Sequence, residues 1–294
     1  MNTDARQDNA TFGITLVVSA MFIFATQDAI TKTLAETYSA PQILWVRFVF
    51  YAVFALAFSA RKRPLRFALR SRAPWLQVAR SLLIVAEIAM FIITIRYMSL
   101  AEMHALLATF PLMVTAIAAL FLGEPVGIRR WGAVFAGFVG VLIIIRPGII
   151  ELQPGVLLAL VTALMFAGYN VMTRMVAKYD DGETSTVYMA VIGAVVMTCL
   201  GPFYWIDPTL TDWMWLICLS FTAAAGHFLL IKALEVAPAS TLQPFNYTLL
   251  VFATVIGYIF FDNLPDFWTV VGASVVVASG LYTIYRERRR KEAA

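Results

Sequence analysis

Long apolar stretches separated by short polar breaks run along nearly the whole chain, as at 156–167 and 269–281. A helix needs about 20 mostly apolar residues to cross the hydrocarbon core of a bilayer. The hydropathy breaks therefore predict ten membrane-spanning helices. The predicted spans are residues 13–32, 41–59, 75–96, 99–122, 131–146, 154–174, 186–206, 213–232, 239–261 and 267–285. This pattern is typical of an all-α integral membrane protein.

The composition excludes a soluble globular protein. The 294 residues are 61% apolar and 14% charged, whereas soluble domains are about 45 to 50% apolar and about 25% charged. Because the predicted spans occupy most of the chain, the loops are short and leave no room for a sizeable soluble domain. Any function must lie within the bilayer.

Basic residues predict the orientation of the chain, since loops rich in Lys and Arg stay in the cytoplasm. With a cytoplasmic amino terminus, that side holds Arg61, Lys62, Arg63, Arg66, Arg70, Arg72, Arg129, Arg130, Arg174, Lys178, Lys232 and the basic residues of 286–291. The opposite side holds only Lys32, Arg96 and Arg146. Both termini are therefore predicted to be cytoplasmic. This distribution explains the net charge of +4 without a nucleic-acid partner, and the basic tail could contact anionic lipid.

The two halves of the chain repeat each other. Residues 24–32 match residues 166–174 at an offset of 142, and Pro125, Gly132, Gly140 and Arg146 match Pro265, Gly272, Gly280 and Arg286 at an offset of 140. We predict two repeats, 1–150 and 151–294, with five spans each. Because five is odd, the second repeat enters the membrane in the opposite orientation. Inverted repeats are typical of secondary transporters, whose substrate site lies near the midplane between the halves.

Several motifs recur in order and at similar spacing in the two halves. They are residues 24–32 with Arg47, 110–111, 122–125 and 132–140 in the first half, and 238–240, 243–247 and 272–280 in the second. This pattern resembles the drug/metabolite transporter superfamily of the EamA type over nearly the whole chain. The chain departs from the family at the second Gly-Glu position, where it has Phe261-Asp262-Asn263.

The overall pattern is similar to bacterial exporters of aromatic and other amino acids in this superfamily, the YddG type. The resemblance implies export of amino acids or related small metabolites across the bacterial inner membrane by alternating access. Related carriers move sugars, nucleotide precursors and vitamins, so those substrates stay open as alternatives. Protons are a candidate coupled ion, and we expect a monomer without a cofactor.

Other function classes lack their sequence signatures. An intramembrane enzyme would need a nucleophile with its base or a metal cluster, and the chain has no Gly-x-Ser-x-Gly, His-Glu-x-x-His or paired aspartate motif. It also lacks a Walker lysine loop for ATP hydrolysis. A channel would be favoured by a ring of pore-lining groups, and no such pattern repeats here. We therefore predict no catalytic residue and no metal site.

Ionisable residues inside predicted spans are candidates for substrate binding, because a charge at the bilayer centre costs on the order of 3 kcal/mol. Glu87 lies in the middle of span three with Phe91 on the same helical face. It could bind a substrate amine or exchange a proton, or it could be a buried protonated carboxyl. His104 and His227 interrupt spans four and eight. Each is either a substrate or proton ligand, or a structural interhelical hydrogen bond.

Span nine has the strongest set of candidate substrate ligands. Gln243, Asn246 and Tyr247 lie at i, i+3 and i+4, on one helical face beside Pro244. Proline weakens the helical hydrogen-bond ladder, and irregular backbone at membrane depth is tolerated where it lines a cavity. The alternative is that these amides join helices together.

Span six offers Tyr169 and Asn170, which could face the same cavity from the other half. Asp28 has Lys32 four residues further along its helix, and Asn170 has Arg174 at the same separation. We predict that Asp28 and Lys32 neutralise each other within one helix.

Overall fold

The computed structural model describes residues 3–62, 64, 70–121, 127–146, 154–237 and 239–292, and every regular element within them is helical. The helices are α1 (Thr3–Thr37), α2 (Ala40–Lys62), α3 (Pro74–Thr94), α4 (Leu100–Leu107), α5 (Phe110–Phe121), α6 (Ile128–Ile145), α7 (Pro154–Val176), α8 (Gly182–Leu200), α9 (Leu210–Val236), α10 (Ala239–Leu242), α11 (Thr248–Phe261) and α12 (Phe267–Glu292). Short 3₁₀ turns cover Gly201–Tyr204 and Gln243–Tyr247. The predicted 122–125 motif, Pro238, Arg63 and Arg66 lie outside the described residues.

The predicted membrane spans are confirmed as helices. Within the described part of the chain, nine helical stretches are long and apolar enough to cross a bilayer, and Trp131–Ile145 is a shorter apolar helix at the predicted fifth span. α4 and α5 together form the fourth span, and the 3₁₀ turn Gln243–Tyr247 with α11 forms the ninth. An even number of spans brings both chain termini to the same end of the bundle, which we call the termini end.

The helix pairs show the inverted symmetry predicted from the sequence repeat. The symmetry operation exchanges the two repeats, so that spans one to five correspond in order to spans six to ten. The extensive contact of α1 (span one) with α9 (span eight) thus has its counterpart in that of α7 (span six) with α3 (span three). The other large contacts, α2 with α8 and α6 with α12, each join a span to its own equivalent in the other repeat. The two repeats therefore interlock, and a site between them draws on both.

Glycines allow the close approach of α6 and α12. A β-carbon at Gly140 would lie 2.9 Å from the carbonyl oxygen of Gly272, and one at Gly272 would lie 2.6 Å from the carbonyl oxygen of Gly140. Both distances are too short for a carbon and an oxygen, so neither position accepts a side chain without separating the helices. Small residues at these positions therefore permit the close packing of the two helices.

Two spans contain breaks in the α-helical ladder. The fourth is interrupted at Ala108–Thr109, between α4 and α5, and the ninth begins with the 3₁₀ turn that contains Pro244. Proline cannot donate a backbone hydrogen bond, which explains the irregular turn at this position. Ala108 and the 3₁₀ turn both line a cavity, where irregular backbone at membrane depth is tolerated.

Interhelical hydrogen bonds join the elements at the end of the bundle opposite the termini. Lys32 Nζ donates to the Met98 carbonyl oxygen at 2.8 Å, and Arg96 Nη2 donates to the Tyr38 carbonyl oxygen at 2.5 Å. Gln42 donates to the Ile206 carbonyl oxygen at 2.6 Å and accepts from the Ile206 N–H at 3.0 Å. This end of the bundle, which we call the closed end, is therefore held together by contacts between different spans.

Candidate functional site: a central cavity

A cavity of about 460 Å³ lies between the two repeats. Such a volume is within the range of about 300 to 1,000 Å³ that small-molecule sites occupy. Its walls come from both repeats: His104, Leu107, Ala108, Phe110, Pro111, Val114, Thr115 and Ala118 from the first, and Asn170, Thr173, Arg174, Gln243, Asn246, Tyr247, Leu249, Leu250, Thr283 and Ile284 from the second. Five of the nine predicted site residues are in this lining.

The 3₁₀ turn brings the predicted span-nine residues to the cavity. Gln243, Asn246 and Tyr247 all line it, and the 3₁₀ geometry stacks residues i and i+3 on one edge of the turn. From α7, Asn170 also lines the cavity, while its Nδ2 donates to the Phe166 carbonyl oxygen at 2.7 Å. The wall thus presents amide groups beside the rings of Tyr247 and Phe110, a combination that suits a flat polar solute.

His104 lies at the inner limit of the cavity, toward the closed end. A capping box starts α4: the Glu102 N–H donates to Ser99 Oγ at 3.2 Å, and the Ser99 N–H donates to the Glu102 carboxylate at 2.9 Å. This cap starts the short helix that carries His104 in its last turn. The histidine lines the cavity with one face and is only 5% exposed overall.

The partner of Asp28 differs from the one predicted. Asp28 Oδ2 lies 3.0 Å from His104 Nε2 on another helix, while the Lys32 ammonium bonds the Met98 carbonyl and lies 5.3 Å from the centroid of the Phe261 ring. The prediction of an Asp28–Lys32 pair was wrong, because the tertiary fold offers each side chain a better-placed partner than the i+4 neighbour.

Glu87 and Phe91 are not in the described cavity lining. Glu87 is buried in α3, and its electrostatic neighbours are Arg47 and Asp28. The Phe91 ring centroid lies 5.8 Å from that of His104. Both residues are thus neighbours of the Asp28–His104 pair, and their role as substrate ligands stays a prediction.

Tyr169 and His227 make contacts of their own away from the described lining. The Tyr169 hydroxyl accepts from Arg80 Nη1 at 3.1 Å, and Arg80 is almost fully buried. The His227 Nδ1 lies 2.9 Å from the Ala223 carbonyl oxygen, and its ring packs edge-on against Phe24 with centroids 5.2 Å apart. The Tyr169 contact joins α7 to α3, whereas the His227 contact lies within α9 and is not the interhelical hydrogen bond considered as its structural alternative. Substrate binding by either residue stays a prediction.

Several lining residues escaped the sequence reasoning. Arg174 lies near the last turn of α7, where the cavity approaches the termini end, and Thr115 and Thr283 lie on α5 and α12. Arg174 had a signal, because it ends the repeated segment 166–174. The threonines gave no sequence signal, because threonines are common in apolar helices, where the hydroxyl bonds a carbonyl oxygen of the same helix. Thr115 bonds the Pro111 carbonyl oxygen at 3.0 Å, and Thr283 bonds the Ser279 carbonyl oxygen at 3.0 Å.

Sequence comparison identifies relatives that span nearly the whole chain. The EamA-like transporter family model matches residues 11–146 and again residues 153–285. An S-adenosylmethionine uptake transporter from Rickettsia bellii is 24% identical over 277 residues, which cover 94% of each chain. A riboflavin transporter from Rhizobium johnstonii is 27% identical, covering 96% of this chain and 94% of its own length. The pseudopaline exporter CntI of Pseudomonas aeruginosa is 23% identical over 91% of this chain and 94% of its own.

A solved structure supports the fold independently. A crystal structure of a protein with 16% sequence identity superimposes with a TM-score of 0.62, covering 94% of this chain and 98% of its own. This likeness concerns the fold alone. The family model matches the chain twice, at 11–146 and at 153–285.

Proposed function

Because the chain belongs to the EamA-like transporter family of the drug/metabolite transporter superfamily, we propose that it carries amino acids and amino-acid derivatives with a planar ring across the bacterial inner membrane. The observation that carries this proposal is the composition of the cavity wall. Amides from Asn170, Gln243 and Asn246 stand beside aromatic rings, and His104 with Asp28 supplies a polar group at the inner limit.

The proposed mechanism is alternating access about this cavity. The cavity extends from His104 toward Arg174 and Ile284 near the termini end. Hydrogen bonds join the spans at the closed end, and at the termini end a hydrogen bond from Gln77 to Asp180 joins α3 to the connection between α7 and α8 without a residue of the cavity lining. Exchange of these two arrangements between the inverted repeats would expose the site to the other side. With the termini in the cytoplasm, as the basic residues predict, the present arrangement corresponds to a carrier directed toward the cytoplasm.

Export is the direction that we propose, following the resemblance to amino-acid exporters. The named relatives include an uptake carrier and an exporter of the same family, so the solute gradient or a coupled ion, rather than the fold, sets the direction of net movement. We propose a monomer as the functional unit, since the cavity is completed within one chain.

A vitamin carrier is the second candidate, favoured by the 27% identity to a riboflavin transporter. A flat heterocycle of that kind would use the same rings and amides. The two candidates differ in charge, because an amino acid carries an ammonium group and riboflavin does not.

Counterflow in proteoliposomes separates these candidates. Vesicles loaded with unlabelled phenylalanine receive labelled phenylalanine outside, with S-adenosylmethionine, riboflavin, a sugar and a nucleoside as competitors. We expect accumulation that amino acids and S-adenosylmethionine suppress. Competition by riboflavin alone would favour the vitamin carrier, and a failure of every amino acid to compete or accumulate would overturn the proposal.

A matched pair of variants tests whether the cavity is the binding site. Asn246→Ala removes an amide from the wall, and Asn263→Ala removes one from the exposed segment after α11. We expect Asn246→Ala to raise the half-saturating solute concentration about tenfold, as for the loss of one hydrogen bond of about 1.4 kcal/mol. Asn263→Ala should leave it unchanged, and equal behaviour of the two variants would place the site elsewhere.

A further inference from the structure

Asp28 and His104 form a buried ionisable pair at the inner limit of the cavity. Their side chains come from α1 and α4, their nearest atoms are 3.0 Å apart, and the residues are 8% and 5% exposed. His104 is in the described cavity lining, and Asp28 is not. A solute that reaches the inner limit of the cavity therefore meets the imidazole of the pair, which lies 3.0 Å from the carboxylate.

Other ionisable groups interact with the pair or line its cavity. Glu87 on α3 and Arg47 on α2 interact electrostatically with Asp28, and Arg47 also interacts with Tyr51 and His227. Among the described residues, Arg174 from α7 and Tyr247 from the 3₁₀ turn are the further ionisable groups in the cavity lining. Lys32 is turned away, with its ammonium on the Met98 carbonyl oxygen.

Charge balance at the Asp28–His104 pair can be met either by a proton or by a cationic solute. An imidazole beside a carboxylate can hold a proton and pass it on. Loss of that proton lowers the net charge of the buried cluster by one, whatever the state of Glu87. In a low-dielectric interior such a change favours a compensating cation close by.

We propose that the Asp28–His104 pair binds the ammonium group of the solute in exchange for a proton. In this step the ammonium approaches the Asp28 carboxylate, and the proton on the His104 imidazole passes to water on the same side of the membrane. No covalent bond to carbon changes. The inference rests on the proposed function for its ligand, an amino acid or amino-acid derivative, and adds the group recognised and the ion exchanged.

Exchange at one site has a directional consequence. A proton that enters from the outer face displaces the ammonium when the carrier faces outward, and a new solute displaces the proton when it faces the cytoplasm. An inward proton gradient would then drive amino acids out of the cell. The pair thereby links the cavity to the export direction.

The first test needs no solute. Proton uptake by the purified, ligand-free protein between pH 8.5 and pH 5.5 is followed with an indicator dye in weakly buffered detergent, for the wild type, Asp28→Asn and His104→Gln. We expect both variants to take up about one proton fewer per chain, because His104→Gln removes the imidazole and the neutral amide in Asp28→Asn no longer stabilises a charged one. Asp262→Asn is the matched control, since Asp262 caps α11 in a left-handed conformation that Asn also adopts. Uptake by Asp28→Asn equal to that of the wild type would overturn the proton site.

The second test addresses the ammonium group. Phenylalanine and 3-phenyllactate share the ring and the carboxylate, but a hydroxyl replaces the ammonium in phenyllactate. We expect the wild type to prefer phenylalanine about tenfold or more as a counterflow competitor, a preference worth about 1.4 kcal/mol. We expect Asp28→Asn to lower this ratio toward one. A ratio unchanged in Asp28→Asn would overturn ammonium recognition by this pair.

The two tests separate this inference from the proposed function. A loss of proton uptake in Asp28→Asn, together with no binding of either aromatic compound to the wild type, would support the proton site and overturn the proposed solute class. Normal phenylalanine counterflow with no change of proton uptake would support the solute class and overturn the exchange.

Discussion

The Tyr247 hydroxyl lies against the backbone of Gly280, at a position where a β-carbon on residue 280 would overlap it. Tyr247 lines the cavity from the 3₁₀ turn, and Gly280 belongs to α12 behind it. The hydroxyl is buried without a hydrogen-bond partner among the described residues. The glycine therefore provides the space that keeps the tyrosine ring against the wall and out of the cavity.

Gly280→Ala should narrow the cavity. The added methyl group displaces the Tyr247 ring toward the lumen, at a cost of about 1 to 3 kcal/mol for overpacking. We expect the variant to lose competition by large solutes such as S-adenosylmethionine about tenfold more than competition by phenylalanine. The measurement is the ratio of their half-inhibitory concentrations in counterflow.

A second substitution and a control isolate this effect. Tyr247→Phe in the Gly280→Ala background removes the overlapping oxygen and should restore part of the ratio. Gly132→Ala, on α6, adds a methyl group where no heavy atom lies within 4 Å. If Gly280→Ala has the same ratio of half-inhibitory concentrations as the wild type, the glycine does not have this role.

Gly140→Ala should weaken the α6–α12 contact. Its β-carbon would lie 2.9 Å from the Gly272 carbonyl oxygen, so the helices must separate, and we expect a destabilisation of about 1 to 3 kcal/mol. The midpoint of thermal unfolding in detergent, followed by intrinsic fluorescence, should fall by several degrees. Gly127→Ala, which has no heavy atom within 4 Å of its β-carbon position, should leave it unchanged. An unfolding midpoint of Gly140→Ala equal to that of the wild type would contradict this prediction, because it would mean that α6 and α12 can move apart without loss of stability.

The ion pair of Arg146 with Asp266 should be part of the contact that opens during transport. It joins the end of α6 to the start of α12, across the two repeats at the closed end. We expect a short bismaleimide bridge between Arg146→Cys and Asp266→Cys to arrest counterflow, in a background with Cys199→Ser and Cys218→Ser. The same double variant without the bridge should transport. Transport at an undiminished rate after complete cross-linking would mean that this end does not open.

Asp180 should contribute to stability in a pH-dependent manner. It lies in the connection between α7 and α8. Burial opposes its charge, but hydrogen bonds from the Ser71 hydroxyl, the Arg72 N–H and the Gln77 amide outweigh burial and lower the pKa of Asp180 below its usual value of 3.8. A lowered folded-state pKa means that the stabilisation is complete above the unfolded value and is lost as the pH falls through the folded value.

Asp180→Asn should therefore lower the unfolding midpoint by a few degrees at neutral pH, for a loss of about 1 kcal/mol. The difference from the wild type should shrink below about pH 4, because the wild-type carboxylate is then being protonated. Thermal unfolding from pH 3 to pH 8 checks this, with Asp262→Asn as the control. A difference that stays constant across this range would rule out the charge of Asp180 as its cause.

Much of the architecture was predictable because the bilayer imposes a simple rule on the sequence. Apolar stretches of sufficient length, together with the repeated segments 24–32 and 166–174, were enough to predict the helical spans and the inverted repeat. Pro244 indicated the irregular turn in the ninth span. The expectation that both termini are cytoplasmic, and the repeat boundaries at residue 150, stay predictions.

The partners of individual side chains needed the tertiary structure. Spacing alone paired Asp28 with Lys32, because both lie on one face of a helix, yet the fold brings His104 from α4 to the Asp28 carboxylate.

The composition of the cavity wall likewise needed the tertiary structure. Helical periodicity groups Gln243, Asn246 and Tyr247 on one face, but only the crossing of the two repeats decides that this face meets Asn170 and His104. The sequence by itself determined which segments cross the bilayer, since that depends on local hydropathy. Only the tertiary structure decided which polar groups share the cavity, since that depends on how helices far apart in the chain pack together.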